Sequence, residues 1–241
     1  MIKILSTNPG FEFVVSTRQG GLSRGNFSSL NLGLNSSDKP DNIKKNRRLF
    51  LGSVLNDDHE LVYAKQVHGC HIANAEDVNP TIEADGFFTN SKRFALSITI
   101  ADCHPDLLAH EESGNFALLH MGWRGTAAGI LNNALNMFLG KNIQVKDLVF
   151  IIGPGIGYDF FEVGPEVKRH FRKKFWSGLP DEKGFLDLGA SIIDDFLSAG
   201  GLHTSVRDSR ECTYANTSKY FSYRRDGQQS GRMMALAWRK N

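Results

Sequence analysis

SITIADCHPDLL, residues 97–108, is the stretch at which an apolar, β-branched run stops at a cysteine, a histidine and a proline. The run that leads into it, FALSITI (94–100), has the composition of a buried strand. Cys103 therefore stands just beyond the end of a predicted strand. The chain has three cysteines, an odd number, which favours a free thiol or a metal ligand over a disulfide.

Similar apolar runs recur on both sides of this stretch, each bounded by glycine, proline or polar residues. They predict further central strands. The runs are FEFVV (11–15), LVYAKQV (61–67), FALLHM (116–121), DLVFIIG (147–153) and the closing GRMMALAWRK (231–240).

Three segments carry the periodicity and the end signals of amphipathic helices. The segments are DNIKKNRRLFLGSVL (41–55) with Asp41 as its cap, GWRGTAAGILNNALNMFLG (122–140), and DLGASIIDDFLSAGG (187–201) with Asp187 as its cap. Helices interspersed with strands, some of which follow one another directly, predict an α/β (α+β) fold with mixed β-sheets flanked by helices. Since no repeat, linker or composition break interrupts the chain, we expect a single domain, 1–241.

The charge balance argues against a nucleic-acid partner. Lys and Arg number 28 and Asp and Glu 26, so the chain lacks the basic field that binds a duplex. Two basic clusters, KKNRR (44–48) and KRHFRKK (168–174), are interpreted as solvated helix faces. No apolar run is long enough to span a membrane, and the first one ends early at Asn8-Pro9-Gly10, unlike a signal peptide. We therefore expect a cytoplasmic protein with no membrane partner.

Three soft ligands stand at the ends of predicted strands: His68 in KQVHG, Cys103 in TIADC and His120 in ALLHMGWRG. Three protein ligands leave a zinc ion its fourth position for water, as in catalytic sites. Spacings of 35 and 17 residues are too long for a zinc finger, so the fold would have to assemble such a site. The residues alone also allow a buried thiol with ordinary core histidines, or the neighbouring His71 and His104 as ligands.

Glycine-rich segments with arginines could hold an anion. GWRGTAAG (122–129) follows a strand and opens a helix, which suits phosphate but equally suits tight strand–helix packing. Arg18 in STRQGG, within the long loop STRQGGLSRGNFSSLNLG, could bind phosphate or carboxylate oxygens. So could Arg224, Arg225 and Arg232 in SYRRDGQQSGR. Surface salt bridges are the alternative for all four arginines.

Seven segments, in order, resemble the motif series of the laccase-domain family. They are STRQGGLSRGNFSSLNLG, KQVHG, EADGFFTN, ITIADCHPDLL, LLHMGWRGTAAGIL, IGPGIGYDFFEVGPEV and FSYRRDGQQSGRMMALAW, spread from about residue 11 to residue 238. That family is described both as multicopper polyphenol oxidase and as purine nucleoside phosphorylase with adenosine deaminase and methylthioadenosine phosphorylase activity.

The resemblance implies that His68, Cys103 and His120 bind zinc, with copper as the alternative metal. It implies an α/β domain similar to a bacterial toxin's cysteine-hydrolase domain. It also implies phosphorolysis of adenosine, inosine, guanosine and methylthioadenosine and hydrolytic deamination of adenosine, with purine nucleosides and phosphate as small-molecule partners. One position departs from the family: Gly155 stands in GPGIG where GPCIG is usual, so any role of that thiol is absent here.

Both reactions need groups beyond the metal. Zinc lowers the pKa of a bound water, and the hydroxide so formed can attack C6 of adenine. The chain, however, lacks the P-C-x-x-C pair of familiar nucleobase deaminases. Asp102 is the predicted acid/base, with capping of its turn as the alternative. Phosphorolysis needs phosphate held against C1′, for which Arg18 is the first choice and Arg225 the second. Gln66 and Arg124, from the KQVHG and GWRG motifs, complete the predicted substrate-binding residues.

Three rival functions remain at this point. Two histidines and a cysteine with an axial methionine make a blue-copper site, but Met121 follows His120 directly and should point to the opposite face of the strand. A cysteine hydrolase, such as an amidase acting on cell-wall precursors, would use Cys103 as nucleophile and His120 as base. A non-catalytic, partner-binding protein is the third alternative.

Overall fold

Two mixed β-sheets pack face to face at the centre of the protein, in a computed structural model that describes residues 2–4, 10–55, 58–79 and 81–240. The strands are β1 (Ile2–Ile4), β2 (Phe11–Ser16), β3 (Glu60–Val62), β4 (Ile72–Asn74), β5 (Gly86–Thr89), β6 (Phe94–Ile100), β7 (His104–Ala109), β8 (Phe116–Met121), β9 (Val149–Ile152), β10 (Glu162–Val163), β11 (Gly184–Phe185), β12 (Val206–Asp208) and β13 (Met233–Arg239). The helices are α1 (Pro40–Val54), α2 (Trp123–Ala127), α3 (Ile130–Leu139), α4 (Pro165–Lys168), α5 (Leu188–Ser198) and α6 (Tyr223–Asp226).

The first sheet has five strands in the order β1-β2-β13-β6-β3. The C-terminal strand β13 lies in its middle, antiparallel to both β2 and β6, and β3 pairs in parallel with β6. The second sheet has six strands in the order β12-β9-β7-β8-β5-β4, with parallel pairs at its two edges and antiparallel pairs between them. Both sheets are therefore mixed, as predicted.

The apolar side chains form three packed groups that define four layers. One group lies between the two sheets, one between the six-stranded sheet and helices α3 and α5, and one between the five-stranded sheet and α1. Each sheet is thus covered on both faces, which explains why β6, β8 and β13 are nearly continuous apolar runs rather than alternating ones. The mixed α/β fold with flanking helices is confirmed; the boundary of a single domain at 1–241 stays a prediction.

The strand predictions need two corrections. Strand β7 follows Cys103 directly and was not predicted, because a histidine, a proline and an aspartate interrupt its apolar pattern although every residue in it is buried. The strand predicted for 61–67 ends at Val62. Beyond it the Gln66 side chain replaces backbone pairing: its Nε2 donates to the Thr99 carbonyl (2.9 Å) and its Oε1 accepts from the Thr99 N–H (2.7 Å).

All three predicted helical segments contain helices, but two of the three differ from the prediction in where they begin or break. Asp187 caps α5 by accepting from the Ala190 N–H (2.9 Å), which confirms that prediction. The helix predicted for 122–140 is two helices, because Gly129 adopts a left-handed conformation (φ 84°) between α2 and α3. In helix α1 the N-cap position is held by Lys39 rather than Asp41, with no capping hydrogen bond from its side chain, and Pro40 begins the first turn.

The basic segment KRHFRKK is not a solvated helix face. Helix α4 ends at Lys168, which is only 1% exposed; its ammonium group donates to the Leu179 carbonyl and lies 4.7 Å from the Trp176 ring centre. Of the predicted turn Asn8-Pro9-Gly10, the first two residues lie outside the described residues. Among the helices of the described chain, none has the length and apolar character to cross a bilayer, and the expected cytoplasmic location stays a prediction.

Candidate metal centre

Cys103 lies where the chain crosses from one sheet to the other. Strand β6 ends at Ile100 in the five-stranded sheet, and β7 begins at His104 in the six-stranded sheet. Asp102, within the crossing, has a left-handed backbone (φ 96°), a conformation that costs a non-glycine residue about 1–3 kcal/mol. The short crossing therefore fixes Cys103 at the junction of the two sheets.

The two histidines reach this junction from different elements. His120 is in β8 and lies on the strand face that Leu118 presents to the other sheet. His68 is in the loop after β3, again with a left-handed backbone (φ 59°). Their rings meet edge to face with centroids 4.9 Å apart. Residues from both sheets are thus needed to build the site.

The structure brings the three predicted ligands together. Donor atoms of His68, Cys103 and His120 all lie within 4.8 Å of one another. Gly122 permits this approach, because a Cβ at that position would lie 2.7 Å from the Cys103 sulfur. The rival ligands stay outside the group: His71 Nδ1 is 2.8 Å from the Glu83 carbonyl oxygen and His104 Nδ1 is 3.1 Å from that of Gly153.

The partly buried Cys103 thiol and the buried His120 imidazole shift each other's pKa in opposite directions. Burial alone would raise the pKa of Cys103, but His120 and His68 favour the thiolate and lower the pKa to about 6. Burial disfavours a charged His120, yet the Cys103 thiolate and the Asp85 carboxylate raise its pKa to about 9. The two shifts favour a thiolate paired with an imidazolium in the metal-free site. A thiolate and two imidazoles are donors that zinc prefers, so the residues fit a zinc ion.

Asp85 holds both histidines of the candidate site by hydrogen bonds, a role that the sequence analysis did not predict. Its carboxylate is fully buried and accepts from His120 Nδ1 (2.8 Å) and from the backbone N–H groups of Val67 (3.1 Å), His68 (3.0 Å) and Gly69 (2.7 Å). Although burial raises its pKa, these hydrogen bonds, that of His120 foremost, more than offset this and hold the pKa below the usual value. The only sequence signal was its place in the EADGFFTN motif.

A cavity of about 620 Å³ opens beside the three ligands. Its wall combines arginines with aromatic rings, a lining that suits an anionic or polar ligand carrying a flat ring system. The arginines are Arg47, Arg124, Arg224 and Arg232, and the rings are those of Tyr63, Trp123, Phe161 and Tyr223.

Two predicted substrate residues line this cavity and two do not. Gln66 and Arg124 line it, and the Arg124 guanidinium lies 4.3 Å from the Trp123 ring centre. Arg18 instead donates to the Ser28 (2.9 Å) and Thr217 (3.0 Å) carbonyls and is not among the lining residues. Arg225, also outside the lining, donates to the carbonyls of Tyr214 (2.8 Å) and Tyr220 (3.0 Å) and contacts Asp226. Both guanidinium groups hold loop backbone in place.

Asp102 lines the cavity with both carboxylate oxygens engaged. Oδ1 accepts from the Thr213 hydroxyl (2.6 Å), and Oδ2 accepts from the backbone N–H of Arg224 (2.7 Å). The Asp102 carboxylate thus anchors the distant segments that carry Thr213 and Arg224, and neither hydrogen bond caps its own turn. Its acid/base role stays a prediction.

The structure also places Met121 and Gly155. Met121 packs in the core between the six-stranded sheet and the helices, on the strand face opposite to His120, so β8 does not offer it as an axial ligand. Gly155 fits because the His104 ring fills the space above it: a Cβ there would lie 2.4 Å from the ring. A cysteine at 155 would therefore require His104 to move.

The fold and the site together define a class: a mixed α/β protein that assembles from both of its sheets a His₂Cys group able to hold a metal ion, next to an arginine-lined cavity. More specifically, the chain belongs to the family described as multi-copper polyphenol oxidoreductase laccase, whose model matches residues 12–240.

Relatives and solved structures resemble the chain over nearly its whole length. A Bacteroides thetaiotaomicron protein named purine nucleoside phosphorylase is 31% identical, over 96% of this chain and 92% of its own. The Escherichia coli purine nucleoside phosphorylase YfiH is 32% identical, over 92% and 91%. The crystal structure of YlmD from Geobacillus stearothermophilus, 29% identical, matches with a TM-score of 0.89 over 97% of this chain and 93% of its own.

Proposed function

We propose that this protein is a zinc-dependent purine nucleoside phosphorylase that also deaminates adenosine. One observation carries the proposal: His68, Cys103 and His120 are gathered beside a cavity lined by arginines and aromatic rings, in a chain more than 30% identical to proteins named purine nucleoside phosphorylase. The proposed substrates are adenosine, inosine, guanosine and methylthioadenosine with phosphate. A cytoplasmic location is part of the proposal.

The cavity wall offers separate partners for the purine and for phosphate. Aromatic faces such as those of Tyr63 and Trp123 suit a stacked purine. Arg47 and Arg232 are largely desolvated, and this burial lowers the pKa of both guanidinium groups. Both also donate to backbone carbonyls, Arg47 to that of Leu32 and Arg232 to those of Ser230 and Gly231, but carbonyls leave their positive charge uncompensated. An anionic oxygen would compensate it, and both side chains line the cavity, so we assign phosphate to the arginines of the wall. Arg18 and Arg225 would act through the loops that they hold.

Phosphorolysis breaks the bond from C1′ to the purine nitrogen and forms a bond from C1′ to a phosphate oxygen; the leaving purine takes the electron pair and a proton. Of the described residues that line the cavity, Asp102 alone carries a carboxyl group, and we propose it for the proton transfer. When bound, zinc supplies a Lewis acid and lowers the pKa of water, which deamination requires. The three ligands, held by the fold in the lining of the cavity, would hold the ion near the arginines of the wall.

Product analysis tests the proposal. Adenosine is incubated with zinc-loaded or chelated protein, with and without phosphate. We expect adenine and ribose 1-phosphate only with phosphate, inosine with or without it, and neither product after chelation or in a Cys103→Ala variant. Cys70→Ala, which changes a cysteine outside the ligand group, is the matched control. Turnover that survives both chelation and Cys103→Ala would refute the proposal, and stoichiometric copper in place of zinc would favour the oxidase alternative.

A cysteine hydrolase, such as an amidase acting on cell-wall precursors, is a second candidate, favoured by the thiolate–imidazolium pair and its carboxylate partner. The thiol pKa of about 6 and the Asp85–His120 hydrogen bond give Cys103 the environment of a nucleophile. An active, metal-free enzyme that iodoacetamide inactivates at Cys103 would support this candidate. Stoichiometric zinc that protects Cys103 from alkylation would exclude it.

A further inference from the structure

We infer that Asp85 is the positioning residue of the metal centre: a single carboxylate that fixes both histidine ligands, setting the loop that carries His68 and the ring nitrogen that His120 presents. The inference rests on the metal centre of the proposed function and not on the identity of the substrate. Asp85 is not a ligand itself, since the group of converging donors consists of His68, Cys103 and His120.

The first half of this role concerns the His68 loop. Three consecutive backbone N–H groups, those of Val67, His68 and Gly69, converge on the Asp85 carboxylate at 2.7–3.1 Å. Successive N–H groups in a turn form a concave anion site, and the left-handed backbone of His68 (φ 59°) belongs to such a turn. Without the Asp85 carboxylate these N–H groups would lose their hydrogen-bond partner. The left-handed backbone of His68 would then lose the hydrogen bonds that offset its strain.

The second half concerns the His120 ring. An ionised carboxylate only accepts hydrogen bonds, so the 2.8 Å contact requires His120 Nδ1 to carry a proton. Nε2 is then left with its lone pair for a metal ion. A carboxylate behind a ligating histidine fixes the tautomer and the ring orientation, and loss of such a partner costs metal affinity about 10- to 100-fold.

Backbone hydrogen bonds tie Asp85 to the same two segments. Its N–H donates to the His71 carbonyl (3.0 Å), and its carbonyl accepts from the His120 N–H (2.7 Å). The residue therefore lies at a fixed place between the loop after β3 and strand β8. Since its side chain is fully buried, no water competes for the four hydrogen bonds of the carboxylate.

Asp85→Asn tests the inference because each carboxylate oxygen accepts two hydrogen bonds. If the NH₂ group of asparagine takes the place of Oδ2, it cannot accept from the N–H groups of Val67 and Gly69, and the loop is released. In place of Oδ1 it would face His120 Nδ1 and favour the tautomer with a proton on Nε2, which cannot bind metal. In either orientation one histidine ligand loses its position.

The readouts are zinc affinity, from competition with a chromophoric chelator, and the protonation of the His120 ring, from nitrogen-15 NMR. We expect Asp85→Asn to bind zinc about 10- to 100-fold more weakly, with an altered His120 ring signal. Asp187→Asn is the matched control: its carboxylate also accepts a backbone N–H, from Ala190, but contacts neither ligand segment. This control should bind zinc like the wild type. A purely structural role would lower the unfolding temperature and leave both readouts of the folded protein unchanged.

Wild-type zinc affinity and an unchanged His120 signal in Asp85→Asn would overturn the inference. If the variant does not fold, the wild type decides: zinc-loaded protein must show a proton on His120 Nδ1, and a proton on Nε2 would refute the role. No substrate enters these measurements. Weakened zinc binding in a protein that turns over no nucleoside would therefore count against the proposed function alone.

Discussion

The surroundings of His120 favour its protonated ring in the metal-free site, and a metal ion would have to displace the extra proton. Its pKa is raised to about 9 by the Cys103 thiolate and Asp85, despite the opposing effect of burial, whereas zinc binds the neutral imidazole. Zinc affinity should therefore rise with pH, up to tenfold per unit between about pH 7 and pH 9, and level off above. Below about pH 6 the slope should steepen as Cys103 also takes a proton.

Competition titrations with a chelator of known pH dependence measure this profile. His71→Gln is the control, since His71 lies outside the ligand group and its loss should leave the slope unchanged. An affinity that stays constant between pH 7 and pH 9 would show that His120 carries no extra proton.

Asp106 is a fully buried acid which, unlike Asp85, has no hydrogen-bonding partners for its carboxyl group among the described residues. It lies in β7 on the same face as Leu108. Burial raises its pKa well above the usual value. Between the unfolded and the folded pKa only the native state keeps the proton, so the free energy of unfolding should fall with rising pH, by at most about 1.4 kcal/mol per unit.

Asp106→Asn removes this titration, and its stability should depend less steeply on pH above about pH 4. Urea unfolding of both proteins between pH 4 and pH 8 measures the difference. We expect the variant to gain on the wild type as the pH rises; parallel profiles would mean that Asp106 ionises normally in the folded protein.

Among the secondary-structure elements, the loop after β9 packs directly against the first residue of β7. Gly155 lies in this loop, and its missing side chain leaves room for the His104 ring. Gly155→Ala should destabilise the protein by about 1–3 kcal/mol, because overpacking forces the ring or the backbone to shift. The double variant Gly155→Ala/His104→Ala should lose less than the sum of the single variants.

Urea midpoints measure these effects, with Gly52→Ala as the control. Gly52 lies in α1 with nothing within 4 Å of an added Cβ, so alanine should stabilise that helix by about 0.5–1 kcal/mol. If the losses of unfolding free energy at 155 and 104 simply add, the two positions are not energetically coupled and the overpacking explanation is wrong.

For the whole molecule, the candidate metal centre lies where the two sheets meet. His68 follows a strand of the five-stranded sheet, His120 lies in the six-stranded sheet, and Cys103 lies in the crossing between them. Because only the folded chain gathers all three, zinc should stabilise it by about 2.7 kcal/mol at a free concentration one hundred times its Kd. Thermal unfolding with and without zinc should show a higher Tm with the metal in the wild type and none of that increase in Cys103→Ala. An equal increase in the two proteins would place the bound zinc elsewhere.

Local composition was enough to predict the central strands and to mark the strand ends where the candidate ligands lie. Runs such as FALSITI and FALLHM stay apolar because both faces of each sheet are covered, so strands β6 and β8 were predicted with their observed limits. The ends of these runs also pointed to Cys103 and His120. The same reasoning missed β7, whose His104 and Asp106 are buried polar residues that a pattern of apolar residues does not contain.

The sequence by itself determined the mixed α/β class and the buried strands, because burial leaves a local record in residue type and spacing. It selected His68, Cys103 and His120 over the rival His71 and His104 only through the family resemblance. Only the tertiary structure decided that Asp85 lies beneath both histidines and that Arg47 lines the cavity while Arg18 holds loop carbonyls. These partners are brought together by the pairing of strands far apart in the chain. Hydrogen bonds between such distant segments leave no periodic trace in the sequence.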